Sequence, residues 1–124
     1  MKNNKSRKSG FTLVEIMIVV SLIGFLVAIA VPSFVRARTQ SQTNVCINNL
    51  RQIDSAMQEC ALEKNMGPTA TITFSDIQGY MKDVVVCPAG GKTFDDSYTL
   101  TDVSTKPICN FSPLTHVLPA TTTN

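Results

Sequence analysis

Few side chains in this 124-residue sequence could carry chemistry, and they fall into three sets. Glu15 is the one charge in the run Phe11 to Val31, FTLVEIMIVVSLIGFLVAIAV. Four cysteines (Cys46, Cys60, Cys87 and Cys109) accompany a single histidine, His116. Asp95, Asp96 and Asp102 form a short acidic group. A Gly-rich phosphate loop, a catalytic triad and a paired-carboxylate site are all missing, so the expectation is a protein that is not an enzyme.

Each set implies a different chemistry. A carboxylate in a membrane-length apolar run costs a few kcal/mol, less near the interface than at the centre. The run holds no basic residue, so a cation for Glu15 must come from outside it. Such a charge in low dielectric would keep Glu15 ionised. The alternative is that Glu15, one turn from the end of the run, snorkels to the interface.

The cysteines suggest disulfides, since a small domain facing an oxidising compartment uses them to supplement a weak core. There is no CxxC or His-x3-His spacing, so no metal is expected on them. Cys46 and Cys60 lie ~21 Å apart along one helix, which forbids a bond between them. Cys87 and Cys109 bracket a predicted hairpin and close a 23-residue loop, so a disulfide worth about 3 kcal/mol is expected there. Cys46 and Cys60 read as small apolar residues, with a bridge from either to the domain left open. His116 reads as a surface or packing residue. The three aspartates are weak calcium candidates; their spacing is not that of an EF-hand, and a solvated acidic turn is the simpler reading. No other cofactor is expected.

The elements that must position these groups follow from pattern. Phe11–Val31 is about the length needed to cross the ~30 Å bilayer core, where only a helix satisfies its own backbone. Before it lies Met1–Gly10, with Lys2, Lys5, Arg7 and Lys8. An ordinary signal peptide cleaved after Ala30, at Ala28-Ile29-Ala30, is one reading; the length of the run and Glu15 oppose it. Gly24 and Pro32 weaken the helix, Pro32 by removing the amide that would bond the Ala28 carbonyl. Residues 36–44 are polar. Cys46, Leu50, Ile53, Met57 and Cys60 then recur at helical spacing, an amphipathic stretch ended by Gly67-Pro68. Beyond it, Thr69–Phe74 and Val84–Val86 read as extended. Ser75 is expected to cap a short helix, Asp76–Met81, and Tyr98–Thr101 with Lys106–Phe111 to form an antiparallel hairpin.

The expected fold is therefore α+β: a long N-terminal helix, membrane-spanning then amphipathic, packed on a small antiparallel hairpin domain. The expected segments are leader 1–10, membrane helix 11–35, amphipathic stem 36–66, head 67–119 and disordered tail 120–124. From Val45 onward there are 5 basic and 8 acidic residues, a net of −3, which offers no footprint for nucleic acid.

Gly10-Phe11-Thr12-Leu13-Val14-Glu15-Ile16, with the basic leader and Pro32, resembles the cleavage and methylation motif of type IV prepilins and type II secretion pseudopilins. The resemblance covers Met1 to Arg38. It implies cleavage between Gly10 and Phe11 by a prepilin peptidase, N-methylation of Phe11, and pairing of Glu15 with a neighbour's terminal amine during assembly. It also implies that the segment between Gly24 and Pro32 can unwind in a filament. Cys46–Asp54 together with Cys87–Gly91 resembles a pseudopilin-like subgroup.

The function expected from this is a pseudopilin: a structural subunit made in the inner membrane, N-terminus cytoplasmic and head periplasmic, then drawn into a helical filament. Its expected partners are its own copies, other pseudopilins, the peptidase, the assembly platform and membrane lipid. A minor pilin binding at a filament tip is the alternative; the net −3 and the absence of Trp argue against it.

Overall fold

The computed structural model describes residues 10–119; the basic leader up to Ser9 and the expected disordered tail lie outside the described residues. The chain divides into two compact units, Met1–Ala37 and Arg38–Asn124. One helix, α1 (Leu13–Glu63), contributes to both and runs unbroken through Gly24 and Pro32.

In the first unit Thr12 starts α1: its Oγ1 accepts the Glu15 amide at 3.3 Å. A Thr at the N-cap with Glu three residues on is the capping-box pattern. Hydroxyls further along are satisfied by their own helix, as a nonpolar surrounding requires: Ser21 Oγ donates to the Met17 carbonyl at 2.7 Å and Ser33 Oγ to the Ile29 carbonyl at 3.4 Å. Every residue from Gly10 to Ser41 is exposed. This is a long, largely apolar helical segment whose residues are all exposed.

In the second unit the stripe Cys46, Leu50, Ile53, Met57 and Cys60 is fully buried, and Ala56 and Ala61 widen it. Against it pack Ile72, Ile77, Phe94, Tyr98 and Val103 from the smaller elements. The helix ends earlier than its Gly67-Pro68 signal suggests. Asn65 takes a left-handed conformation, φ 50°, and the Met66 amide reaches back to the Ala61 carbonyl at 2.9 Å. That is a Schellman closure, with Asn in the place glycine usually takes.

The helix expected to start after Ser75 begins two residues sooner, at α2 (Phe74–Ile77), and continues as a 3-10 turn, Gln78–Tyr80. Thr73 is its N-cap; the Asp76 carboxylate accepts from the Thr73 amide at 3.0 Å and its hydroxyl at 2.6 Å. Val84–Val86 joins no strand among the described residues. A one-turn helix without a sequence expectation, α3 (Phe94–Ser97), follows, capped by Thr93, whose Oγ1 accepts the Asp96 amide. Phe94 stacks on Phe74 at 4.2 Å between ring centroids and tilts against Tyr98 at 5.6 Å.

The hairpin is present but short: β1 (Tyr98–Thr99) pairs antiparallel with β2 (Ile108–Cys109), Tyr98 opposite Cys109. Residues 69–74 contribute only a single bridge, Thr71 to Asp102. The two-stranded sheet and the long helix are the α+β architecture expected from the pattern.

Candidate functional site

The first site is the start of α1. Gly10 and Phe11 precede the helix and are exposed, Phe11 at 83%. Glu15 sits in the first turn, where the partial positive charge of the helix N-terminus favours a carboxylate. Thr12, whose cap fixes where that turn begins, was not singled out from sequence; the T-x-x-E spacing was the available signal. Beyond Glu15, residues such as Ile16, Val20, Ile23 and Val27 are all half or more exposed. By length and composition this part of α1 suits a membrane crossing.

The second site lies in the core of the small unit. Cys46 on α1, Cys87 at the start of a turn, Cys109 on β2 and His116 near the C-terminal end are all buried. The Cys87 and Cys109 sulfurs are 3.6 Å apart, and His116 Nδ1 stands 3.6 Å from Cys109 Sγ and 3.9 Å from Cys87 Sγ. With Cys46 Sγ, the four potential ligand atoms lie within 4.8 Å of one another.

The expected Cys87–Cys109 disulfide is therefore corrected. The two residues do meet, but as free thiols, since 3.6 Å is far beyond a bond of about 2.05 Å. Loop closure considers cysteines two at a time, whereas here three sulfurs and an imidazole converge. Cys46 lies in the buried stripe, as expected, but also belongs to this set, and His116 is buried, in line with the packing half of its expectation. Where sequence spacing suggested no metal-ligating set, four potential ligand atoms of the cysteines and the histidine nonetheless converge. Cys60 stays apart; it is buried, with its thiol on the Asp76 carbonyl at 3.4 Å.

Local structure explains the convergence. Cys87-Pro88-Ala89-Gly90-Gly91 turns tightly, with the Gly90 and Gly91 amides both donating to the Cys87 carbonyl. Gly90 has φ 155°, and a Cβ on Gly91 would run into Ser97 Oγ and the Cys87 backbone. On α1, Asn49 Nδ2 donates to the Val86 carbonyl and to the Tyr98 hydroxyl, each at 3.0 Å. Burial pushes the Cys46 thiol up to about 12, against a hydrogen bond from Tyr98 that lowers it. Burial also raises Cys87, against the Ala89 amide, and raises Tyr98.

The three aspartates do not gather into such a set among the described residues. Asp95 and Asp96 occupy the first turn of α3. Asp102 instead closes its own loop: its carboxylate accepts from the amides and hydroxyls of Ser104 and Thr105, which holds it below the usual carboxylate range.

Comparison with known proteins places these features. The family described as the prokaryotic N-terminal methylation motif matches residues 5–31. The type IV narrow pilus major component PilA5 of Thermus thermophilus is 34% identical over 106 residues, 86% of this chain and 82% of that protein. The type IV major fimbrial protein FimA of Dichelobacter nodosus is 34% identical over 87 residues, 70% of this chain and 52% of its own length. The type II secretion system core protein G of Aeromonas hydrophila is 29% identical over 65 residues, 52% of this chain and 46% of its own. The chain thus spans about half the length of FimA and of core protein G. No solved structure matches. Motif, helix, small antiparallel sheet and the near full-length likeness to a pilin agree: the chain belongs to the type IV pilin and pseudopilin family.

Proposed function

We infer that this chain is a repeating structural subunit of a pilus- or pseudopilus-type filament, and that it acts by assembling and not by catalysis. The observation that carries this is the exposed apolar length of α1 with Glu15 in its first turn. A surface of that kind needs two successive occupants. Lipid covers it while the subunit waits in the inner membrane, and neighbouring copies cover it in the filament. In this reading a prepilin peptidase cuts between Gly10 and Phe11 and methylates the new amine, which frees a cation at the membrane face. Glu15 of a second subunit then pairs with that amine and sets the stagger between copies.

Residues 11–35 would form the membrane and filament core, 36–66 the stem and 67–119 the head, with the head on the periplasmic side. Gly24 and Pro32 would allow local unwinding as subunits pack. Extraction from the membrane would draw on a separate ATPase through an assembly platform, and no nucleic acid would be involved. The small head supports a pseudopilin or thin-pilus subunit over a tip-binding minor pilin. Co-expression with a prepilin peptidase and an assembly platform tests this: filaments labelled along their length by antibody to the head are expected. Labelling only at the tips would favour the minor pilin, and peptidase-independent release into the medium would refute the reading.

A further inference from the structure

We propose that Cys46, Cys87, Cys109 and His116 form a closed, structural zinc site in the small unit. The spacing of the donor atoms carries this. With Zn–S near 2.3 Å and Zn–N near 2.0–2.1 Å, the edges of a tetrahedral site come to about 3.8 Å between sulfurs and about 3.5 Å from sulfur to nitrogen. The distances here are 3.6 Å for the Cys87–Cys109 pair, and 3.6 and 3.9 Å from the His116 nitrogen to those two sulfurs. Cys46 completes a set within 4.8 Å, buried on all four members.

The surroundings are arranged for ligation. The Thr43 hydroxyl donates to the Thr39 carbonyl at 3.1 Å, so its lone pair is left to accept from His116 Nε2 at 3.2 Å. That places the ring proton on Nε2 and turns the free Nδ1 lone pair toward the sulfurs, the orienting contact that ligand histidines need. The Tyr98 oxygen accepts from Asn49, which directs its own proton to Cys46 Sγ at 3.6 Å. A donor aimed at sulfur offsets the negative charge that a thiolate keeps when bound.

Three thiolates and an imidazole suit zinc, and four protein ligands leave no open position for substrate. On binding, three Zn–S bonds and one Zn–N bond form, three S–H bonds break and their protons pass to solvent, with no change of oxidation state. The centre would carry a net charge of −1. It would join α1, the Cys87 turn, β2 and the C-terminal segment, which gives a small core the cross-link it otherwise lacks. The site uses no residue of the apolar run, so its failure would leave the filament reading intact.

The test uses the full chain in detergent, purified reduced and without oxygen, titrated first with cobalt(II) and then with zinc(II). One cobalt per chain is expected, with the visible bands of a tetrahedral site and a near-ultraviolet thiolate-to-cobalt band, both displaced by one zinc. Cys60→Ser should keep this stoichiometry. Cys109→Ser and His116→Ala should weaken zinc binding by more than about 10-fold, and Thr43→Val by about 10–100-fold. Should the ligand variants fail to fold, the wild-type cobalt spectrum decides alone. The proposal is overturned by a wild-type chain with no thiolate-to-cobalt band, by one whose mass is two hydrogens short, or by zinc held equally in Cys109→Ser and His116→Ala.

Discussion

Glu15→Gln separates the two roles open to this carboxylate, because the structure shows what the substitution leaves intact. Glu15 is the third helical residue after the Thr12 cap, and Gln serves at that position of a capping box as well as Glu does. The helix should therefore start unchanged, and insertion should be easier, since the neutral side chain is cheaper to place in lipid. What disappears is one negative charge. Its attraction to a helix N-terminus is worth about 0.3–1 kcal/mol within the chain. A partly desolvated pair with a neighbour's amine would contribute on the order of 1–3 kcal/mol after desolvation is subtracted. At about 1.4 kcal/mol per tenfold, loss of that pair lowers the equilibrium for each subunit addition by roughly 5–150-fold. Sheared filament yield at equal membrane levels is the assay, with the N-terminal mass as a control for cleavage. Cleaved, inserted Glu15→Gln with few or no filaments is the expected result. Mixed with wild type it should co-assemble at reduced efficiency, since it still offers an amine. Normal filament yield from Glu15→Gln alone would refute the pairing and leave only the role within its own helix.

Two further predictions concern the small unit. Leu50→Ala, at a fully buried position of the stripe, should destabilise it by about 2.7–5 kcal/mol in denaturant unfolding, whereas Leu62→Ala, 79% exposed, should stay within about 0.5 kcal/mol; similar losses from both would contradict the packing. Asp76 is held down to about 2, first by the Thr73 hydroxyl and then by Lys64. A carboxyl depressed on folding contributes stability above its unfolded value near 3.9 and loses it as pH falls through the folded value. The stability gap between wild type and Asp76→Asn should thus be flat from pH 7 to about 5 and close between about pH 4 and 2; a gap that widens on acidification would contradict the cap.

What the sequence made legible was what rests on local periodicity. The apolar run, the stripe from Cys46 to Cys60 and the alternation around Tyr98 and Cys109 each follow from a repeat of 3.6 or 2 residues. Boundaries were harder, because single side chains set them. Asn65 ends α1 by accepting a left-handed φ, which left the stronger-looking Gly67-Pro68 signal with no helix to stop. Thr73 captures the cap through Asp76, three residues on, so the helix starts before Ser75. The cysteine cluster was hidden for a different reason. Its members are 41, 22 and 7 residues apart in sequence. Only the packing of the turn and hairpin on α1 brings them together, and no spacing rule reports a contact of that kind.

The proposed function rests on one bond, Gly10–Phe11, whose cleavage would turn a membrane-bound precursor into an assembly-competent subunit. Intact-mass and N-terminal peptide measurements on the chain recovered from membranes and filaments test it directly. A mature chain beginning at Phe11 and carrying one extra methyl group on its amine is the predicted result. A mature chain beginning at Val31, with residues 11–30 absent, would contradict the account.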